Sequence, residues 1–307
     1  MTTTFKSQPN LATKLVNGIL SIKPLANFAK TQARKMIIKR AEKIGVPWRK
    51  QAKELSERNW DREWEIVNNP NLSYPEYYLT SFHAYEKGNM SWQAATEEEV
   101  AALAVHANIW PEEGIGGDAR LRKSFLDILK AEISTPNDIL DLGCGAGLNT
   151  FPLQKVFPEA KFTGVDLSPY FLAVGLYRSQ QQNLDINWVH AAAEETGLPD
   201  ASFNLISISL VCHELPQTAT RKIFREARRL LRPNGNIAIM DMNPKSEVYA
   251  TMKPYVFTLL KSTEPYLDEY FTLDIEKELI DAGFMTPKII CNTHRHRTII
   301  SCPVEQL

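Results

Sequence analysis

Between Ile139 and Thr150 the chain reads Ile-Leu-Asp-Leu-Gly-Cys-Gly-Ala-Gly-Leu-Asn-Thr. A short apolar run breaks into glycines at alternate positions and then resumes with helical spacing, the pattern of a strand, a tight loop and a helix start. Ile139, Leu140 and Leu142 are too few for a buried helix and suit a central parallel strand. Gly143, Gly145 and Gly147 admit backbone angles closed to side chains, so a ligand can approach the main chain closely. The loop N–H groups and the helix N-terminus behind them favour a carboxylate or phosphate, hence a nucleotide-like ligand.

From this strand onward, strands and helices alternate. Strand-like runs near 160–166, 186–191, 203–210 and 235–241 are separated by helical patterns at 148–157, 168–182 and 217–232. That alternation predicts an α/β fold with a doubly wound, mostly parallel sheet. Two further runs, 286–291 and 297–303, are joined too tightly for a parallel crossover and are expected to pair antiparallel. An amphipathic helix with Leu121, Phe125, Ile128 and Leu129 leads into the first strand.

Upstream, charge divides the chain. Residues 1–50 hold eleven Lys and Arg against the single acid Glu42, in a chain whose net charge is -1. They predict a basic amphipathic arm of two short helices. Leu11, Leu15, Ile19 and Ile22 share one stripe; over 24–45, Leu25, Phe28, Ala29, Met36, Ile37, Ala41 and Ile44 oppose Lys30, Arg34, Lys39, Arg40 and Lys43. Three readings fit: a face packed on the body, peripheral contact of residues 1–45 with an anionic membrane, or an acid-poor organellar leader. A nucleic-acid partner is not expected, because no aromatic residues interleave with the basic ones.

Residues 51–135 read as a helical cap or lid, and 136–307 as the ligand-binding domain. Tyr74, Tyr77, Tyr78, Phe82, His83, Tyr85 and Trp92 crowd one stretch of the cap, forming either its core or a pocket wall. Tyr74, Tyr78, His83 and Tyr85 are the candidate substrate or lid residues. Gly88, Gly114, Gly116 and Gly117 supply turns or hinges. No apolar run reaches the length of about 18 residues needed to span a bilayer, and the first thirty residues lack a secretory core, so the cytoplasm or an organelle interior is expected. Cys144, Cys212, Cys291 and Cys302 have neither CxxC spacing nor clustered histidines, so neither a metal nor a disulfide is expected.

In an open parallel sheet, ligands sit beyond the carboxyl ends of the strands. Asp141 lies at the end of the first strand. Asp166, after the second, can accept both hydrogen bonds of a ribose diol, while Ser168 is better placed as the next helix's N-cap. Ser209 and Leu210 end the fourth strand, ahead of His213 and Glu214, and Asp241 ends the fifth. His213, with an ordinary imidazole pKa of about 6.5, suits proton abstraction or, alternatively, loop orientation. Asp241 either faces an acceptor or bonds to nearby backbone. His294 and His296 fall in a solvated turn, and Cys144 is a small filler of the glycine loop.

These residues resemble class I S-adenosylmethionine-dependent methyltransferases, in particular the small-molecule group related to ubiquinone and menaquinone biosynthesis enzymes. The resemblance covers roughly residues 136–307. It rests on Asp141-Leu-Gly-Cys-Gly-Ala-Gly147, Gly164-Val-Asp166-Leu-Ser168, Leu198-Pro-Asp-Ala-Ser-Phe203-Asn-Leu-Ile206 and Leu231-Arg-Pro-Asn-Gly235. It implies a Rossmann-like fold that binds S-adenosylmethionine through Asp141, Gly143, Cys144, Gly145, Asp166, Leu167, Ala193, Glu194, Ser209 and Leu210. In that pattern Asp141 and the glycine loop serve the methionine part, Asp166 the ribose, and the backbone near Leu210 the amino group.

Two departures from the family stand out. Ala192-Ala193-Glu194 replaces the common Asp-Ala followed by an acid, which leaves Glu194 or Glu195, with the N–H near Ala193, to meet the adenine. Asn204 replaces the usual Asp after Phe203, a change at the strand edge. The implied activity is in-line methyl transfer to a small hydrophobic or aromatic acceptor resembling a phenol or quinol, with His213 and Asp241 as catalytic residues. Two alternatives compete. A nicotinamide-dependent dehydrogenase would ask for glycine at Leu148, and a catalytically silent cofactor-binding protein would lose the polar groups after strands four and five.

Overall fold

The computed structural model describes residues 23–304 apart from residue 84. The helix expected over 11–22 lies outside the described residues. The N-terminal part is helical: α1 (Lys23–Lys43), α2 (Trp48–Ser56), α3 (Asp61–Val67) and α4 (Trp92–His106). A 3-10 turn at Glu76–Leu79 sits between α3 and α4. Helix α5 (Gly117–Glu132) then leads into the alternating region.

That region runs β1 (Asp138–Leu142), α6 (Thr150–Val156), β2 (Lys161–Asp166), α7 (Pro169–Gln181), β3 (Ile186–His190), β4 (Phe203–Ser209), α8 (Gln217–Leu230) and β5 (Leu231–Met242). Four short helices follow, α9 (Glu247–Ala250), α10 (Pro254–Lys261), α11 (Leu267–Thr272) and α12 (Ile275–Asp281). Strands β6 (Lys288–Cys291) and β7 (His296–Ser301) close the chain.

The seven strands form one sheet in the order β3-β2-β1-β4-β5-β7-β6. The first five are parallel, and β7 runs antiparallel to both β5 and β6, as expected for so short a connection. Alternate residues of the central strands feed opposite faces. Leu140, Leu142, Ile206, Ile208, Ile237 and Ile239 pack with Ile223, Phe224, Ala227 and Leu230 of α8. On the other face Ile139, Leu205, Ala238 and Met240 pack with Leu121, Phe125 and Leu129 of α5 and Leu153 of α6. The order reverses between β1 and β4, the place where open parallel sheets hold their ligands, beyond the carboxyl ends of the strands.

Asn204 explains its departure at the strand edge. Its Oδ1 accepts from the backbone of Asn137 and Asp138 and from Arg232, tying the start of β1 to the beginning of β5. The β4–β5 register slips between Phe203 and Leu205, so the regular run of β5 begins at Asn236.

The cap is seated on this sheet. Trp60, Val67, Tyr85, Ala94 and Ala95 share a core with Cys144 and Ala146 of the glycine loop and with Phe171 to Val174 of α7. Gly88 and Gly117 leave no room for a side chain: a Cβ at either would lie 2.3 and 2.5 Å from the carbonyl oxygens of Thr80 and His106.

The described half of α1 also packs inward. Ala41, with Ile38 and Ile44, joins Val46, Trp48, Val100 and Ala104, and Arg34 pairs with Glu97. Met36 and Ile37 remain exposed beside Lys35, Lys39, Arg40 and Lys43. Among the described residues no helix is long and apolar enough to cross a membrane.

Candidate active site

The glycine loop turns back on the end of β2. Gly143 and Cys144 donate their N–H groups to the Val165 carbonyl at 2.8 and 3.1 Å. At Gly145 the backbone has φ +54°, which disfavours a side chain, and a Cβ there would sit 2.1 Å from Oε1 of Glu98 and displace that carboxylate. Glu98 comes from α4, and its Oε2 accepts from the Ala146 N–H at 3.0 Å. The loop's expected preference for a carboxylate is met in part from within the chain.

Burial pushes the Glu98 carboxyl up to about 7, against the pull of Arg178, the Ala146 N–H and Arg122, with Asp166 adding to the rise. The sign follows: a raised carboxyl favours the proton-bound folded state. Its contribution to stability is full below about 4.5 and is lost as pH rises through about 7, a swing of roughly 2–4 kcal/mol. Glu98→Gln keeps an acceptor for Ala146. It is expected to flatten the pH dependence of unfolding between those values, and urea melts of both proteins at acid and mildly alkaline pH check it. Parallel curves would contradict it.

Asp141 is buried behind the loop. Its carboxylate accepts from Thr150 Oγ1 at 2.7 Å and from Asn149 Nδ2 at 3.3 Å, and Asn149 also donates to Ser207. Within this chain Asp141 therefore fastens the loop to the start of α6. Asp166 accepts from the Gly145 N–H through Oδ2 at 2.9 Å, and from the Ser168 N–H and the Tyr78 hydroxyl through Oδ1 at 2.7 and 3.2 Å. Burial raises its carboxyl against the pull of these donors. Ser168 caps α7 by accepting from Phe171 N–H, with Pro169 in the first turn. Leu167 follows Asp166 and is buried, its carbonyl bonded to His190 at 3.0 Å. Cys144 is buried, and desolvation holds its thiol well above the ordinary value, as suits a filler.

Beyond β3, next to Ala193, Glu194 Oε1 accepts from the Tyr77 hydroxyl at 2.5 Å. Its Oε2 is buried with no hydrogen-bond partner among the described residues, whereas Glu195 is exposed. Of the two acids considered for the adenine end, Glu194 has the oxygen ready for an N–H donor. Ser209 Oγ, at the end of β4, is likewise buried and unpartnered. Leu210 beside it adopts φ +58°, uncommon for a leucine, and donates its N–H to the Met240 carbonyl at 2.7 Å.

His213 follows on a 3-10 turn, Cys212–Glu214. Its Nδ1 lies 2.7 Å from Asp241 Oδ1, and its backbone N–H donates to Oδ2 at 3.3 Å. Asp241 is fully buried and also accepts from the Met242 N–H. Burial alone would lower the imidazole, but Asp241, with Glu264 and Glu214, outweighs it and raises His213 to about 10. The ordinary value expected from sequence is thereby corrected. Asp241 fixes the Nδ1–H tautomer and leaves Nε2 facing Glu264, whose Oε2 is 3.9 Å away.

The cap candidates separate. Tyr78 reaches Asp166, His83 reaches the His213 cluster, and Tyr74 contacts His190 Nε2 at 3.1 Å, anchoring the cap on the end of β3. Tyr85 is not brought to the site: its hydroxyl donates to Glu97 at 3.0 Å beneath Arg34. His296 also departs from expectation. It opens β7 buried opposite Met242, and desolvation lowers it to about 3, while His294 stays exposed. Glu98, Glu264 and Tyr77 are contributors that sequence reasoning did not select.

Residues 139–235 match the family model described as a methyltransferase domain. That stretch resembles a methyltransferase domain. It is 35% identical over 102 residues to a malonyl-[acyl-carrier protein] O-methyltransferase of Hahella chejuensis, covering 33% of this chain and 35% of that protein. It is also 29% identical over 122 residues to a demethylmenaquinone methyltransferase of Listeria welshimeri, covering 39% of this chain and 50% of that one. The methyltransferase domain thus spans half or less of these curated relatives. A phosphoethanolamine N-methyltransferase 2 of Haemonchus contortus, solved in complex with S-adenosyl-L-methionine, has TM-score 0.53 at 17% identity, covering 72% of this chain and 62% of that one. At that identity the likeness is one of fold.

The residues of the methyltransferase domain fit the cofactor of its class. The glycine loop takes left-handed angles that disfavour side chains, Asp166 gathers three donors, and Glu194 offers a buried oxygen with no hydrogen-bond partner among the described residues.

Proposed function

We propose that this protein transfers a methyl group from S-adenosylmethionine to an oxygen of a small, hydrophobic or aromatic acceptor. One observation supports the reading: the segment that carries the His213–Asp241 pair meets the glycine loop. A Cβ at Gly143 would lie 2.7 Å from Val211, two residues before His213, so the loop and the end of β4 are in direct contact. When bound, S-adenosylmethionine supplies a methyl group on a positively charged sulfur, already activated for displacement.

What remains for the chain is alignment and a place for the acceptor's proton. As the acceptor oxygen's lone pair forms the new O–C bond, the C–S electron pair stays on sulfur. The hydroxyl proton passes to His213 Nε2 in the neutral form of the imidazole, a form whose share grows as pH rises towards about 10, and Asp241 stabilises the cation that results. Glu264 beside Nε2 is the group through which that proton can leave, returning the imidazole to its accepting form.

Support for a hydrophobic acceptor comes from α10, whose sequence Pro-Tyr-Val-Phe-Thr-Leu-Leu-Lys has no buried residue, and from its Phe257, which packs tilted on Phe271, itself T-shaped against Tyr249. Tyr270 in the same group lies 6.3 Å from the His213 ring. Demethylmenaquinone methyltransferases among the relatives point the same way. The dehydrogenase and silent-scaffold alternatives gain no support. Transfer of a labelled methyl group from S-adenosylmethionine to a panel of phenols and quinols tests the reading. Turnover on small polar amines alone would overturn the acceptor class.

Peripheral membrane contact is proposed only for the exposed strip around Met36 and Ile37 together with residues 1–22. Co-sedimentation with anionic vesicles is expected to weaken as salt rises, since each basic residue near such a surface contributes about 1 kcal/mol. Absence of binding at low salt would leave the arm a packing element alone.

A further inference from the structure

Three segments distant in sequence converge in front of His213. His83 comes from the cap, after the 3-10 turn; Glu214 and His213 follow β4; Glu264 lies between α10 and α11. The backbone fastens two of these together, because the His83 N–H donates to the Thr263 carbonyl at 2.9 Å. His83 also holds φ +48°, in the left-handed region that histidine shares with asparagine and aspartate more often than other side chains.

The side chains then approach one another without hydrogen bonding. His83 Nε2 is 3.6 Å from Glu214 Oε1 and 3.9 Å from Glu264 Oε1, and His213 Nε2 is 3.9 Å from Glu264 Oε2. One ligand atom from each of His83, His213 and Glu264 lies within 4.8 Å of the other two. Donors held at about 2.0–2.2 Å from a common cation are themselves about 3–4 Å apart, which these spacings match.

We propose that His83, His213 and Glu264, with Glu214 adjoining, bind a divalent first-row transition-metal ion. Three observations carry this beyond proximity. First, Glu264 Oε2 is out of contact with solvent and has no hydrogen-bond partner. Second, Asp241 takes the Nδ1 side of His213 and leaves Nε2 as the ligating nitrogen, the carboxylate–histidine arrangement that orients metal-binding imidazoles. Third, among the described residues Glu214 and Glu264 form no ion pair with a Lys or Arg, and the ring nitrogens of His83 and His213 are their near neighbours instead.

Two imidazoles with carboxylate oxygen suit zinc, manganese, iron or cobalt better than magnesium, which favours an all-oxygen shell. The absence of CxxC spacing had pointed away from metal; here the ligands are gathered by the fold instead of by a local motif. With the ion bound, His213 Nε2 would serve as a ligand in place of a proton acceptor, and the ion would take the acceptor's oxygen and ease loss of its proton. That consequence rests on the methyl-transfer reading above, whereas binding of the ion does not.

The test is a titration of chelator-treated full-length protein with Co2+, read by its visible d–d absorption. It is carried out in a background with Cys291→Ser and Cys302→Ser, because those thiols are exposed. We expect one Co2+ per chain, displaced by Zn2+ and not by equimolar Mg2+. His83→Asn, which tolerates the left-handed backbone but falls short of the site, and Glu264→Gln are each expected to abolish the signal. Asp241→Asn should weaken Co2+ affinity by about 10- to 100-fold, as loss of an orienting carboxylate does.

S-adenosylhomocysteine binding, measured by calorimetry on the same samples, should be unchanged in the His83 and Glu264 variants. No saturable Co2+ signal in the parent, or its survival in both of those variants, would overturn the metal site. Loss of S-adenosylhomocysteine binding in the parent itself would instead overturn the methyltransferase reading.

Discussion

Replacing His213 by asparagine is expected to slow the chemical step of methyl transfer by about 10²-fold or more, the usual worth of a positioned acid–base group. The choice of asparagine matters. His213 is buried against Asp241, and alanine would leave that carboxylate buried without its partner, a change that typically costs several kcal/mol. The asparagine amide can still donate towards Asp241 while removing Nε2. Single-turnover rates with saturating cofactor isolate the effect, and S-adenosylhomocysteine affinity should not change. A variant with nearly parental turnover would assign His213 to holding the 3-10 turn Cys212–Glu214, and the acceptor's proton would need another destination.

Asp166→Ala carries the second large effect. Asp166 gathers the Gly145 and Ser168 N–H groups and the Tyr78 hydroxyl, so it both shapes the glycine loop and presents carboxylate oxygens beside it. Loss of charge-assisted hydrogen bonds to a ribose diol is expected to weaken S-adenosylhomocysteine binding by roughly 1.5–3 kcal/mol. Calorimetry on protein shown to be folded measures it. Tyr78→Phe serves as the control, because it removes only one donor to the carboxylate. Unchanged affinity in the alanine variant would remove Asp166 from the cofactor site.

The contrast between what the chain announces and what it conceals follows from how each signal is carried. The sheet was legible from Ile139 to Met242 because glycine, proline and asparagine separate β-rich runs from helical ones, and the short link before β7 leaves only an antiparallel partner. Asp141, Asp166, His213 and Asp241 were legible for the same reason: they stand at strand ends. Glu97, Glu98 and Glu99 show the opposite case. As three acids in a row on a helix they look like a solvated face, yet successive residues point about 100° apart. One pairs with Arg34 and Tyr85, the next with the glycine loop, and the third with Arg178. Glu264 was hidden because residues 247–281 form short helices whose faces carry no strong period. His296 was misread because a strand beginning one residue earlier turns it from the turn into the core.

The contact between Glu98 and the Ala146 N–H has a consequence for how tightly any ligand can be held. A loop of free N–H groups gains hydrogen bonds on binding, whereas this loop exchanges one it already has. Tyr78 imposes the same exchange at Asp166. Both partners come from the cap, so what the loop gives up on binding is released to α4 and the 3-10 turn before it. A cofactor that takes these donors and acceptors would have to displace Glu98 and Tyr78, and it is expected to leave faster than from a loop whose N–H groups are unshared.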